Sequence, residues 1–532
     1  MRSGFSVPLA MACLLLTAAL GLALRPLTPI DETRYLAVAW EMYQSGNWLV
    51  PTKNFAVYSD KPPMLFWLVN LVWLVTGVSE FAARMVGPVL GCVALWLTSV
   101  LGRRLWPDMR GIGGDAALAL AGLVVFALSS SLTMFDVPLT VCVLLGLIAL
   151  SDAGQEGAGR RPWVIFGLAI ALGVLTKGPV ILFHLLPAAI LLPLWSAAPL
   201  AWGRSLKNLG FGMLVGLGLL ALWLVPAATL GGSEYRTAIL WHQSAGRVAG
   251  SFAHARPWWF FAILLPVLAF PLFWAPALWR SALRQPWRAD RGLRLCLIWA
   301  GAALVLFSLT SGKQTHYLVP ELPALALIAA RLGREIARFS LLPAIVIAAV
   351  AVVVAVLATL GLVPLGRNEA LVAPRTALLI WALSIAAVAF LTLRLRGFMG
   401  AMVLSLGALL ATNLLIGTTR LHDVYSTTPI AEKLAPHEAD GLAILDGDYH
   451  AQFNFAGRLT RPVALLPDAA AVKAWVTAHP RGVMTGQIGL VDMPWPPRET
   501  ILFRNRDWGI WFAADAPTGA PANTPAAPAK EP

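Results

Sequence analysis

Again and again along this chain, runs of roughly 17–25 apolar residues are broken only by short polar connections. A helical run of that length matches the hydrocarbon thickness of a bilayer. In lipid, each backbone N–H and C=O of such a run must be satisfied within its own helix. The pattern therefore restricts the chain to a polytopic helical membrane protein. Composition agrees, since only 13% of the 532 residues are charged, about half the fraction of an ordinary soluble domain. The net charge of +13 invites a nucleic-acid reading. The basic residues, however, sit in short clusters between spans, which is the positive-inside pattern: it orients the protein among membrane lipids without naming a partner, and no nucleic acid is expected.

The first span, 5–24, is read as uncleaved with its N-terminus in the cytoplasm, because no clear small-residue cleavage site precedes Leu27. It delivers Asp31 to the outer side. The apolar stretch 62–79 is expected to pack at the outer interface, since a crossing there would carry Arg103, Arg104 and Arg110 outside. Further spans then fall near 83–102, 115–131, 137–152, 162–176, 178–197, 208–228, 258–279, 293–310, 317–331, 340–363, 376–393 and 398–417. That makes about thirteen crossings of bilayer length. The cytoplasmic connections collect Arg160/Arg161, Arg204/Lys207, the arginines from Arg280 to Arg294, Arg331/Arg334/Arg338 and Arg394/Arg396. Cys13, Cys92, Cys142 and Cys296 lie inside apolar runs with no CxxC pair, so neither a disulfide nor a thiolate metal site is expected.

After about residue 420 the composition changes. LAILDGD, RPVALLP and ETILFRN read as strands and 467–479 as a short helix. The expected fold class is thus an all-α polytopic membrane protein of about thirteen transmembrane helices with a small C-terminal soluble α/β domain on the outer side. The domains are 1–420, whose outer loop 25–82 carries active-site residues, then 421–515, then a Pro/Ala-rich disordered tail over 516–532.

Charge at membrane depth is costly unless it faces a wet cavity, so the outer loops hold the candidate chemistry. Asp31 opens the segment DETRYLAVAWEM and is either a helix N-cap or a functional carboxylate, with Glu32 structural. Tyr35, Ala39, Trp40 and Met42 are placed on a membrane surface. Asp60–Lys61 precedes Pro62–Pro63, a rigid corner from which both side chains project. Asp136 lies in the turn TMFDVP, Lys177 in TKGP, His242 and Arg247 in 229–257, and Lys313 and Tyr317 in SGKQTHY. Asp136 either caps its helix or serves the site; Lys177 is split between turn and site. Lys313 has snorkelling as its ordinary reading. His184 and His316 stay unassigned.

DETRYLAVAWEM, GNWLVP, YSDKPPMLFWL, EFAARMVGPVLG, TMFDVPL, LTKGP, WHQSAGRV with HARPWWFF, and SGKQTHYLVPELPAL stand in order over roughly 5–330. Together they resemble the C-superfamily glycosyltransferases that use polyprenyl-phosphate sugars. The nearest likeness is to the bacterial aminoarabinose–lipid A transferases, with protein O-mannosyltransferases as kin. The resemblance implies a bacterial inner-membrane enzyme with a periplasmic active site and a periplasmic C-terminal domain. A sugar would pass with inversion from an undecaprenyl-phosphate-type lipid to lipid A or another envelope glycolipid. A protein acceptor is the alternative within the same fold, and a lipid-linked-sugar flippase is the more distant one.

By the same resemblance Asp31 is the base, with Asp136 in the catalytic group. Lys61, Arg247, Lys313 and Tyr317 are contacts to the donor lipid phosphate. Asp60 and His242 form a site for a divalent metal, zinc or similar, and no nucleotide cofactor is implied. The family usually has Glu where Asp60 stands. A salt bridge from Asp60 to Lys61 or Arg247 is the other reading.

Overall fold

The computed structural model describes residues 5–239, 255–333, 336, 341–362 and 376–517. His242 and Arg247, and all but the first two residues of the expected 516–532 tail, lie outside them. The chain divides into two compact units, Met1–His422 and Asp423–Pro532.

The first unit is helical. Among the described residues eight helices are long and apolar enough to cross a membrane, or nine if the bent pair Ile112–Ala121 and Val124–Ser130 is one span. One of the eight, Arg161–Ile190, folds back on itself. Lys177 meets Asp136 at the start of the Asp136–Ala153 helix. Ala197 and Ala198 instead donate to the carbonyl of Gly154 at the other end of that helix, both at 3.1 Å. A Cβ on Gly173 would come within 2.5 Å of the Ile181 side chain, eight residues on, which a straight helix forbids at 1.5 Å rise per residue. Gly178 at φ +76° and the 3-10 turn Gly178–Val180 make the reversal. Beside it, Gly167 packs on the Trp202–Leu230 helix so closely that an added Cβ would meet Gly212 O at 2.5 Å. Small residues of this kind let helix backbones approach in lipid.

The segment 25–82 is built on the helix Asp31–Ser45, which ends at Gly46 in the left-handed region. The hairpin of β1 (Thr52–Lys53) and β2 (Ala56–Val57) follows, with Asn54 and Phe55 at φ +52° and +60°. Two successive left-handed residues strain a non-glycine turn. The buried carboxylate of Glu41 offsets this by accepting from Asn54 N, Phe55 N and Thr52 Oγ1, each at 2.8 Å. The stretch read as interfacial forms the 13-residue helix Met64–Thr76, too short to span hydrocarbon at 1.5 Å per residue. It lies on the Asp31–Ser45 helix, with Asn70 Nδ2 donating to Ala39 O at 3.2 Å.

The placement of Tyr35, Ala39 and Met42 on a membrane surface is corrected. They are 3%, 0% and 1% exposed. At i, i+4 and i+7 they share one helix face, and it turns inward; Tyr35 meets Phe135 edge-on at 4.9 Å and lies 6.4 Å from Phe66.

Glu32 is structural, as read. Its Oε2 takes Arg25 Nη1 at 2.7 Å and Thr28 N at 3.0 Å, and its Oε1 takes Thr133 N at 2.8 Å. Arg84 donates to the carbonyls of Arg25 and Pro26 at 3.1 Å each. These bonds fix the entry of Asp31 against the 131–135 turn. With Arg25 and Arg84 beside it and the Thr133 amide bound, the Glu32 carboxyl is held down at about 2 although burial opposes this.

The second unit carries a mixed sheet in the order β4 (Ala464–Leu465), β3 (Leu442–Ile444), β5 (Val483–Gln487), β7 (Arg506–Phe512), β6 (Glu499–Phe503). β3 is parallel to β4 and β5, and β7 is antiparallel to β5 and β6. The helix Ala469–Ala478 supplies Val472 and Trp475 to a core shared with Met484 and Trp511. β3, β4 and β6 fall in the three runs read as strands. β5 and β7 were not anticipated, because Gly486 and Gly509, which pair across them, weaken the strand signal.

Candidate active site

Asp31 begins its helix without serving as its cap: the cap position is Ile30, and no side chain caps it. The Asp31 carboxylate pairs with Arg34 one turn on, and its side chain remains 46% exposed. It is thus accessible and already beside a cation. Burial works against the charge on Arg34, but Tyr58, Tyr35 and Asp31 outweigh it and raise its pKa. Tyr35, buried under the same loop, has its hydroxyl pushed upward, first by burial and then by the Asp31 charge.

The Glu41-anchored hairpin leads through buried Tyr58 to Asp60 and Lys61. Asp60 is exposed and Lys61 partly buried. The Lys61 ammonium lies 5.8 Å from the Phe135 ring centre, next to Asp136 in sequence. Asp136 starts its helix, is 2% exposed, and takes Lys177 Nζ at 2.5 Å. Lys177 also lies 4.9 Å from the ring centre of Tyr317. The TKGP reversal is what brings the Lys177 ammonium to Asp136.

His316 is the residue that draws these groups together. Burial lowers it to about 4; the charges of Asp136 and Asp31 act against that, and those of Lys177 and Lys61 add to it. The charges of two carboxylates and two lysines from four separate stretches thus all act on the His316 imidazole. No sequence signal singled out His316, Arg34 or Tyr58, since a lone histidine, arginine or tyrosine has no distinctive spacing.

Lys313 is placed differently. It is buried, and Nζ donates to the carbonyls of Arg256, at 2.9 Å, and Thr310. Its ammonium thereby holds 310–313 to the strand-like contact of Ala255 with Gly312. Ile239, the last described residue before the stretch that holds His242 and Arg247, packs against the cluster of Val50, Trp223 and Tyr235. His242, the partner expected for Asp60 on a metal, lies outside the described residues. Among the described residues no group of three or more His, Cys, Asp or Glu side chains could hold a metal ion.

Comparison with known proteins sets similarity beside this geometry. Residues 60–226 match the dolichyl-phosphate-mannose-protein mannosyltransferase family. An undecaprenyl phosphate-alpha-4-amino-4-deoxy-L-arabinose arabinosyl transferase of Pseudomonas aeruginosa UCBPP-PA14 is 35% identical over 307 residues, 56% of this chain and 54% of that protein. One of the two such transferases of Pseudomonas fluorescens Pf0-1 is 32% identical over 337 residues, 62% of this chain and 59% of its own length. The chain spans little more than half the length of these relatives. Among solved structures, ArnT from Cupriavidus metallidurans bound to undecaprenyl phosphate superposes with a TM-score of 0.73 at 20% identity, covering 98% of this chain and 100% of that one. In sequence and in fold, then, the chain is similar to the undecaprenyl-phosphate aminoarabinose transferases, and the resemblance read from its motifs is borne out.

Proposed function

We propose that this protein is an inverting glycosyltransferase of the inner membrane. It moves a sugar from an undecaprenyl-phosphate-type donor to an acceptor hydroxyl, with lipid A or another envelope glycolipid as acceptor. The observation that carries this reading is the clustering of acids and cations from separate stretches: Lys177 closes on Asp136 and stands over Tyr317, and Lys61 lies against Phe135, the residue before Asp136. Such a transfer needs a carboxylate to take a proton and cations to hold a departing phosphate. The names and fold of the relatives support the donor class.

In the proposed step the acceptor oxygen attacks the sugar's anomeric carbon from the face opposite the phosphate. Its proton passes to the exposed oxygens of Asp31. The bond from the anomeric carbon to phosphate breaks with its electron pair on the phosphate oxygen. Lys61, with Arg247, neutralises that charge. Tyr317 presents its hydroxyl to the same phosphate, held by the Lys177 ammonium on its ring face. Asp136, satisfied by Lys177, orients that lysine and sets the field in which the acceptor sits. Lys313 serves at one remove, by fixing the loop that carries Tyr317.

Asp60 and His242 are the residues that would hold a divalent metal, zinc or similar, which would supply further positive charge to the phosphate. No step above depends on it.

We further propose about thirteen crossings, with the N-terminus cytoplasmic and the site and the 421–515 domain periplasmic. The direct test is purified full-length protein with a synthetic undecaprenyl-phosphate aminoarabinose donor and lipid A. The mass of one aminoarabinose gained by lipid A supports the reading; its absence contradicts this donor and acceptor pair, and no transfer from any undecaprenyl-phosphate sugar to any envelope glycolipid contradicts the reading itself. Mass spectrometry of envelope glycolipids and glycoproteins, with and without the protein, identifies the natural sugar and acceptor.

A further inference from the structure

Below the cluster lies a second polar pair that the reaction does not use. His184, on the helix Ile181–Ile190, hydrogen-bonds through Nδ1 to Oε1 of Glu321, the last residue of the 3-10 helix Thr315–Glu321. The two residues are 1% and 4% exposed. His184 Nε2 and Glu321 Oε2 meet no hydrogen-bond partner among the described residues. Burying a carboxylate and an imidazole in an apolar bundle is costly unless they satisfy each other. Either one alone would destabilise this region; together they lock the elements they sit on.

Those elements matter because of what they carry. The Thr315–Glu321 turn holds His316 and Tyr317. The His184 ring lies 5.2 Å from that of Phe307, Phe307 lies 5.6 Å from Tyr317, and Lys177 Nζ stands 4.9 Å over Tyr317. Lys177 in turn closes on Asp136 at 2.5 Å. A continuous line of contacts thus runs from the buried pair to the candidate site.

We infer that His184 and Glu321 are positioning residues that clamp the 315–321 turn so that Tyr317 rests on Lys177 and faces the donor phosphate. The clamp itself stands on geometry; its service to a lipid phosphate rests on the function proposed above. The hydrogen bond, not the charge, is what the clamp requires. Glu321→Gln keeps an acceptor for a His184 Nδ1–H, whereas Glu321→Ala removes it and leaves His184 buried without a partner.

The test uses the full-length protein in lipid nanodiscs and two readouts. Amide hydrogen exchange over 315–321 is expected to rise at least tenfold in Glu321→Ala and His184→Phe and to stay within threefold of wild type in Glu321→Gln. Undecaprenyl phosphate binding should weaken at least tenfold in the first two and be retained in the third. Ser405→Ala, which removes a buried hydrogen bond of 2.6 Å to Gly122 O elsewhere in the bundle, is the control for general loosening and should change neither readout. Exchange and binding unchanged in Glu321→Ala, or equally perturbed in Ser405→Ala, would overturn the inference. If wild type binds no undecaprenyl phosphate, the functional reading fails, while the exchange result still decides the clamp.

Discussion

Lys177 Nζ stands 2.5 Å from Oδ1 of Asp136, and both side chains are almost fully enclosed. The two residues are 41 apart in sequence, and the pair exists because the chain reverses at Gly178. It joins the first turn of one membrane helix to the last turn of another.

Removing one member of that pair strands the other. Lys177→Met is expected to destabilise the protein by about 3–5 kcal/mol, the range for breaking a buried ion pair, and to lower transfer at least tenfold. Lys177→Arg should restore most of the stability but less of the activity, since guanidinium and ammonium geometries differ. Thermal unfolding in detergent and donor turnover, measured on the same preparations, check both. A Met variant as stable as wild type would contradict the pairing.

Glu32 gives a prediction with a sign. Its pKa falls from 4.5 to about 2 on folding, so its contribution is complete above pH 4.5 and drains away as pH drops toward 2. The linked stability is roughly 3 kcal/mol. Glu32→Gln should lose about that much at pH 7 and flatten the acid limb of the stability curve below 4.5. Unfolding midpoints from pH 7 to 3 measure it, and a Gln variant with the wild-type acid limb would rule the linkage out.

His316 titrates in a different window. Its pKa is lowered from 6.5 to about 4, so the folded state resists a proton that the unfolded state accepts. Stability should therefore fall as pH drops from 6.5 to 4, by roughly 3 kcal/mol at the lower end. His316→Asn removes this slope while leaving the one below 4.5. Nuclear magnetic resonance of the imidazole protons is the direct check; titration near 6.5 in the folded protein would refute the burial argument.

The hairpin that aims Asp60–Lys61 depends on Glu41. Glu41→Ala removes the acceptor of two left-handed backbone amides and one hydroxyl. Each unsatisfied donor costs about 1–3 kcal/mol, so local exchange of the Asn54 and Phe55 amides should rise by an order of magnitude or more. Donor affinity should fall with it. Unchanged exchange would show that the turn holds itself.

What the sequence displays well is what physics writes locally. Apolar runs mark the membrane helices, and the Pro62–Pro63 corner and the Gly178 turn mark changes of direction. What it conceals is partnership across the fold. Nothing local distinguishes Glu32, which is structural, from Asp31, which is exposed; the difference is the Arg25 and Thr133 partners of one and the open side of the other. Tyr35 reads as an interfacial aromatic until Phe66 and Phe135 close over it. His184 and His316 look alike in a string of letters, yet one meets a buried carboxylate and the other is buried in the field of four charges. In the second unit, paired glycines at 486 and 509 hid the two strands between which they face each other.

The central claim is that the half-exposed carboxylate of Asp31 takes the acceptor's proton. The measurement is single-turnover transfer from a synthetic undecaprenyl-phosphate aminoarabinose donor by Asp31→Asn, alongside its undecaprenyl phosphate affinity and its unfolding midpoint. The account predicts a rate lower by about 10²–10⁴, the usual contribution of a general base, with affinity and midpoint close to wild type. Turnover within threefold of wild type would contradict it and remove Asp31 as the base.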